Sequence, residues 1–104
     1  MIFRRGRFND VIRRQLDLFE REHADLITDC AAAERAYTDA DRGDAEERYG
    51  EYVDLVEEGT ETLADIRDAF KRTLDEDAAE RYEAEFNRAV KKHLPRFGLE
   101  IDLR

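Results

Sequence analysis

The sequence predicts an all-α fold. We expect a long antiparallel helical hairpin and a shorter third helix, packed as a coiled-coil-like three-helix bundle and followed by an extended C-terminal tail. Apolar residues recur every seven positions along two long stretches, which is typical of helices that pack along a narrow seam. The 104 residues include only five glycines and one proline, so few helix breakers interrupt the pattern. A chain of this length predicts one domain, residues 1–104.

The first helix is predicted over residues 9–40, where no glycine or proline occurs. Two apolar rows, offset by three or four positions, lie on one face of this stretch. They are Ile12, Phe19, Leu26, Ala33 and Ala40, and Leu16, His23, Cys30 and Tyr37. At about 1.5 Å per residue the helix is about 50 Å long.

The second helix is predicted over residues 45–72 and returns antiparallel, because the connection around Gly43 is short. Its rows are Tyr49, Val56, Leu63 and Phe70, and Tyr52, Gly59 and Ile66. The third helix is predicted over 76–94, with Asp75 as its N-cap and Pro95 at its end. Its inward residues are predicted to be Ala79, Tyr82, Phe86, Ala89, Val90 and His93.

The C-terminal tail, residues 97–104, alternates apolar and polar residues, which predicts an extended segment. Leu99, Ile101 and Leu103 are candidate docking residues for another protein, with folding back onto the chain's own dimer as the alternative. The alternation is loosely similar to the C-terminal tags of encapsulin cargo proteins, and that resemblance implies docking to an external partner.

The helix lengths predict that part of the hairpin lacks a third helix. A helix of about 19 residues covers about 28 Å of a hairpin of about 45–50 Å. Residues 28–55 are thereby left as a bare pair of helices. Exposed apolar surface of this kind predicts association, and we expect a symmetric homodimer in which two hairpins form a four-helix bundle. The predicted interface residues are Cys30, Ala33, Tyr37, Tyr49, Tyr52, Val53 and Leu55.

The net charge of −9 is unevenly distributed. Residues 1–14 carry five arginines against one aspartate, whereas residues 15–70 carry eighteen acidic and five basic residues. The acidic body argues against nucleic acid as a partner. The basic N-terminal arm, residues 1–7, is either a solubilising tail or a contact for a protein partner. No membrane span or secretory signal is recognisable, so we expect a cytoplasmic protein.

Two spacings suggest chemistry. Glu20 and His23 form a Glu-x-x-His pair, which is similar to the motif of ferritin-like di-iron bundles. That resemblance implies a metal-binding helical bundle with Glu58 and Glu61 as further ligands; the alternative is a histidine paired with an acidic neighbour at the edge of the core. Arg88 and His93 are similar to the signature of HEPN ribonucleases, which implies that the pair flanks an RNA phosphate. The alternative there is a chance spacing on a helix rich in basic residues.

The sequence contains no motif typical of other enzyme classes. Serine is absent, so no serine nucleophile exists. The chain has no glycine-rich phosphate loop and only one cysteine, Cys30, so no cofactor is predicted. The leading expectation is a small soluble non-catalytic interaction or scaffold protein that acts as a homodimer.

Overall fold

The computed structural model describes residues 7–104 and contains four α-helices, two short 3-10 turns and no β-strand within that range. The helices are α1 (Asn9–Glu22), α2 (Ala24–Asp39), α3 (Ala45–Lys71) and α4 (Glu76–His93). The 3-10 turns cover Pro95–Phe97 and Ile101–Leu103. The prediction of an all-α fold is therefore confirmed.

The chain does not form the single helix predicted over residues 9–40, because it bends at His23. This residue has φ −120° and ψ 33°, which are not helical values. Its N–H still donates to the Phe19 carbonyl at 2.9 Å, and its carbonyl accepts from the Ile27 N–H at 3.1 Å. The two helices have different neighbours, since α1 packs against α4 and α2 packs mainly against α3. The apolar rows run through the bend unbroken, so their periodicity does not reveal it.

The helices begin in different ways. The side chain of Asp75 accepts from the Ala78 N–H at 2.8 Å, as expected for the N-cap of α4. The start of α1 instead uses Glu85 on α4, whose carboxylate accepts from the backbone N–H of Phe8 at 3.0 Å and of Arg7 at 3.3 Å. A carboxylate is favourable at the positive end of a helix, so this contact ties α1 to α4.

The core lies where α1, α4 and the C-terminal turns pack on α3 and the start of α2. Tyr82 is completely buried and packs against three phenylalanine rings, with ring centroids 5.5 Å from Phe8, 4.7 Å from Phe70 and 5.8 Å from Phe86. The core residues are Ile12, Leu16, Phe19, Leu26, Cys30, Leu63, Ala64, Tyr82, Phe86, Val90, Leu94, Phe97 and Ile101. His93 was predicted to point inward but is exposed, because α4 ends there and Leu94 turns into the core instead.

The C-terminal tail is not extended, contrary to the prediction. It folds into the two 3-10 turns, whose N–H groups donate within the turns, as from Gly98 to Pro95 at 3.0 Å and from Leu103 to Glu100 at 3.0 Å. An extended segment would need a neighbouring strand to satisfy its backbone, and the described residues contain none. The turns satisfy those groups locally while burying Phe97 and Ile101.

The molecule is elongated, measuring 56 × 21 × 21 Å. Its core occupies one half of this length. The remainder is formed by the end of α2, the connecting turn and the start of α3, which we call the distal segment (residues 31–58). No residue of the distal segment is buried. α4 thus covers only part of the length of α2 and α3.

Candidate functional site

The distal segment exposes two tyrosines. Tyr37 on α2 is 39% exposed and Tyr49 on α3 is 50% exposed, and their ring centroids lie 5.0 Å apart. Four further predicted interface residues are partly exposed, namely Ala33, Tyr52, Val53 and Leu55. Six of the seven predicted interface residues are therefore accessible to a partner.

Cys30 is the exception, and its assignment to the interface is wrong. Its side chain is 0% exposed and packs in the core of its own chain. Burial raises the pKa of the Cys30 thiol, and the nearby Arg96 guanidinium offsets this only in part. The thiol is therefore protonated and unreactive at neutral pH. Cys30 is covered because the Pro95–Phe97 turn extends beyond α4 and brings Arg96 to the level of Cys30.

Arg96 lies at the inner end of the distal segment and joins its two helices. Its Nη2 donates to Glu34 on α2, and its guanidinium lies 5.9 Å from the ring centroid of Tyr52 on α3. Burial alone would lower the pKa of Arg96, but its interactions with Tyr52 and Glu34 outweigh burial and raise it. Arg96 therefore stays charged and marks the boundary between the core and the distal segment.

The distal segment is strongly acidic. It carries ten aspartates and glutamates against three arginines, so most of the protein's net charge of −9 lies here. Arg48 pairs with Glu51 at 3.1 Å, but both side chains are about half exposed, and such a pair contributes little. A surface that combines tyrosines and aliphatic residues is suited to a partner that supplies apolar area, and its unbalanced negative charge favours contact with basic groups of that partner.

The candidate metal ligands are not gathered into one site. Within residues 7–104 no group of three or more His, Cys, Asp or Glu side chains is arranged to hold a metal ion. Glu20 and Glu58 are exposed, and Glu61 pairs with Arg104. The His23 ring lies 5.2 Å from the Phe19 ring, centroid to centroid, at an angle of 32°. His23 is thus an aromatic neighbour of the core at the bend.

Arg88 and His93 line the same groove between α1 and α4. The groove has a volume of about 200 Å³ and is also lined by Glu85 and Lys92. A second groove of about 320 Å³ shares His93 and includes Glu20. Glu85 is already engaged at the start of α1, so the side chains of the first groove that remain available are mainly basic.

The predicted docking residues of the tail differ in their exposure. Leu99 is 88% exposed and Leu103 is 80% exposed, whereas Ile101 is completely buried. Ile101 therefore cannot contact an external partner, and its assignment as a docking residue is wrong. The tail folds back onto its own chain, which leaves two isolated leucines on the surface.

Arg67 holds the tail in place, a role that the sequence interpretation missed. It is 1% exposed and donates to the backbone oxygens of Ile101 at 3.0 Å and Arg104 at 2.6 Å. It also donates to Asn87 Oδ1 at 3.0 Å, and Asn87 in turn donates to Asp102 Oδ1 at 3.1 Å. A signal was present, because Arg67 lies on the same helix face as the apolar residues Leu63 and Phe70, where an arginine needs buried acceptors.

The basic N-terminal arm falls mostly outside the described residues, which begin at Arg7. In the described part, Arg7, Arg13 and Arg14 are exposed. None of the helices described is both long enough and apolar enough to cross a bilayer. Comparison with protein families, with characterised proteins and with solved structures finds no match for this chain.

Proposed function

We propose that this chain is a non-catalytic interaction or scaffold protein of the cytoplasm that acts as a homodimer. The distal segments of two hairpins would pack together as a four-helix bundle. The observation that carries the proposal is the absence of any buried residue between positions 31 and 58, although both helices continue through this region with their apolar rows intact.

The partly exposed apolar faces of these two helices need a packing partner. Most of the stability of a helix in a protein comes from packing its apolar face rather than from intrinsic propensity. In the distal segment Tyr37 and Tyr49 contact each other across the two helices, and Tyr52 lies next to Arg96. Packing against a second copy would remove these side chains from water at about 25 cal/mol per Å² of apolar area.

The contacts between the helices support an antiparallel hairpin. Tyr37, near the end of α2, contacts Tyr49, near the start of α3, with ring centroids 5.0 Å apart. Phe8, just before α1, contacts Phe70, near the end of α3, at 6.4 Å. Two antiparallel hairpins have the arrangement from which a four-helix bundle is built.

The test is the molar mass in solution of the intact chain and of matched variants. Tyr49→Glu places a charge in the proposed interface, and we expect it to shift the mass toward the 12.2 kDa monomer. Leu99→Glu is the control, because Leu99 is 88% exposed but lies outside the distal segment. Equal dimerisation of the wild type and both variants would refute this interface.

A ribonuclease activity is the second candidate, favoured by one observation: Arg88 and His93 line one groove together with Lys92. Incubating RNA with the wild type and with His93→Ala tests it. Cleavage by the wild type that is lost in the variant would support this candidate, and intact RNA in both would eliminate it.

A further inference from the structure

The number of packed helices changes along the length of the molecule, and we call the point where α4 and its following turn end the step. In the core half, α4 and the C-terminal turns lie on α3. Beyond α4 and the Pro95–Phe97 turn that follows it, only α2 and α3 continue. The distal part of α3, residues 45–58, extends for about 21 Å. A second copy offers a segment of the same length with the same exposed tyrosines, so each molecule can cover the distal segment of the other.

We infer that two copies pair antiparallel through their distal segments, so that the acidic turn of each lies against the end of α4 of the other. This inference rests on the proposed homodimer and specifies its orientation. We call residues 39–48 the acidic turn; it carries five carboxylates and two arginines.

Charge at the step favours this orientation. The last turn of α4 is basic, with Lys91, Lys92 and His93. Lys91 already pairs with Asp102, whereas Lys92 is exposed and forms no ion pair within residues 7–104. In an antiparallel dimer the acidic turn of one copy meets this basic end in the other. Complementary charges of this kind fix the orientation of two partners more than they add affinity.

The parallel orientation is disfavoured by the same charges. It would bring two acidic turns together, with ten carboxylates against four arginines at one end of the dimer. Like charges placed against each other across an interface are costly, and no lysine lies within the distal segment to balance them. The antiparallel dimer separates the two acidic turns and repeats the same contact twice about its two-fold axis.

Crosslinking of variants that each carry one added cysteine distinguishes the orientations. Gly43→Cys marks the acidic turn; the new Cβ lies 3.5 Å from Asp41 Oδ1, an ordinary contact that the turn accommodates. His93→Cys marks the end of α4 at an exposed position and leaves Lys92 in place. The native Cys30 is 0% exposed, and the wild-type chain treated with the same short bis-maleimide reports its background.

An antiparallel dimer predicts crosslinked dimers in a mixture of the two variants and little product from Gly43→Cys alone. Efficient crosslinking of Gly43→Cys alone would overturn the inference in favour of a parallel dimer, while the homodimer itself would stand. A monomer in the molar-mass measurement, with no crosslinking in any sample, would overturn the homodimer as well. A dimer that crosslinks at neither position would show an interface away from the distal segment and would also refute the inference.

A charge-reversal pair gives a second readout. Lys92→Glu should raise the dimer dissociation constant about tenfold, because two symmetric contacts each lose an attraction and gain a repulsion. Adding Asp41→Lys in the same chain should restore most of the affinity. An unchanged dissociation constant for Lys92→Glu would contradict the contact. Arg81→Glu, an exposed position nearer the start of α4, is the matched control and should leave the affinity unchanged.

Discussion

Replacing Arg67 with methionine should destabilise the protein by about 3 kcal/mol. Methionine is flexible and fills much of the same space, so packing is largely kept while the donors are lost. Two of the acceptors, Asn87 Oδ1 and the Ile101 carbonyl, lie in fully buried hydrogen bonds. Each buried acceptor left without a donor costs about 1–3 kcal/mol.

Arg67 has two further acceptors, the Arg104 backbone oxygen and Asp68 Oδ1, and their loss adds less to the destabilisation. The Arg104 oxygen is only partly buried, and the Asp68 side chain is 41% exposed, so water can replace the lost donor. The loss of about 3 kcal/mol is large against the total stability of about 5–15 kcal/mol that is usual for a domain.

Urea unfolding followed by circular dichroism measures this effect, at one fixed protein concentration because dimerisation would contribute to stability. Arg81→Met on α4 is the control, since Arg81 is exposed, lies outside the distal segment and should change stability by less than about 0.5 kcal/mol. A loss for Arg67→Met as small as that of the control would refute the role of Arg67 in holding the tail.

Three further outcomes are expected. Gly59→Ala should cost about 1–3 kcal/mol, since its Cβ would overlap the Phe97 ring, whereas Gly50→Ala, with nothing within 4 Å, should stabilise by up to about 1 kcal/mol; urea unfolding of both variants checks the opposite signs. Burial raises the pKa of Tyr82 to about 12, so stability should fall between about pH 10 and 12 as the unfolded state loses its proton first. Tyr82→Phe should lack this loss in thermal melts, and an equal loss in the variant would exclude Tyr82 as its source. Cys30 should react with a thiol reagent only after urea unfolding, and rapid labelling of the native protein would contradict its burial.

Periodicity identified much of the core because burial follows helical spacing. Phe19, Leu26 and Cys30 lie on the predicted rows and are buried. It could not locate the bend at His23, because neither proline nor glycine marks it and the change of neighbour from α4 to α3 is a tertiary effect. Periodicity also could not predict that Glu85 on α4 accepts from the Phe8 N–H at the start of α1, since the two residues are separated by 77 positions in the chain.

The tail shows where a local pattern is ambiguous. Alternation of apolar and polar residues predicted an extended segment. Phe97 and Ile101 are also four positions apart, which is equally compatible with the turns that the chain forms. The choice depends on whether a neighbouring strand exists and on the acceptors that Arg67 requires, and neither can be deduced from the tail alone.

The exposure of the distal segment was predictable from helix lengths, whereas its inner limit was not. Comparing the lengths of the helices left residues 28–55 uncovered, and the structure leaves residues 31–58 without a buried side chain. The difference at Cys30 arises because a turn of three residues, Pro95–Phe97, continues the cover beyond α4. Connections of this kind are not counted when only helix lengths are compared.

Sedimentation equilibrium of the wild-type chain at micromolar concentration tests the central claim most directly. The exposed distal segment predicts a species of twice 12.2 kDa that dissociates on dilution. A single species of 12.2 kDa throughout the micromolar range would contradict it.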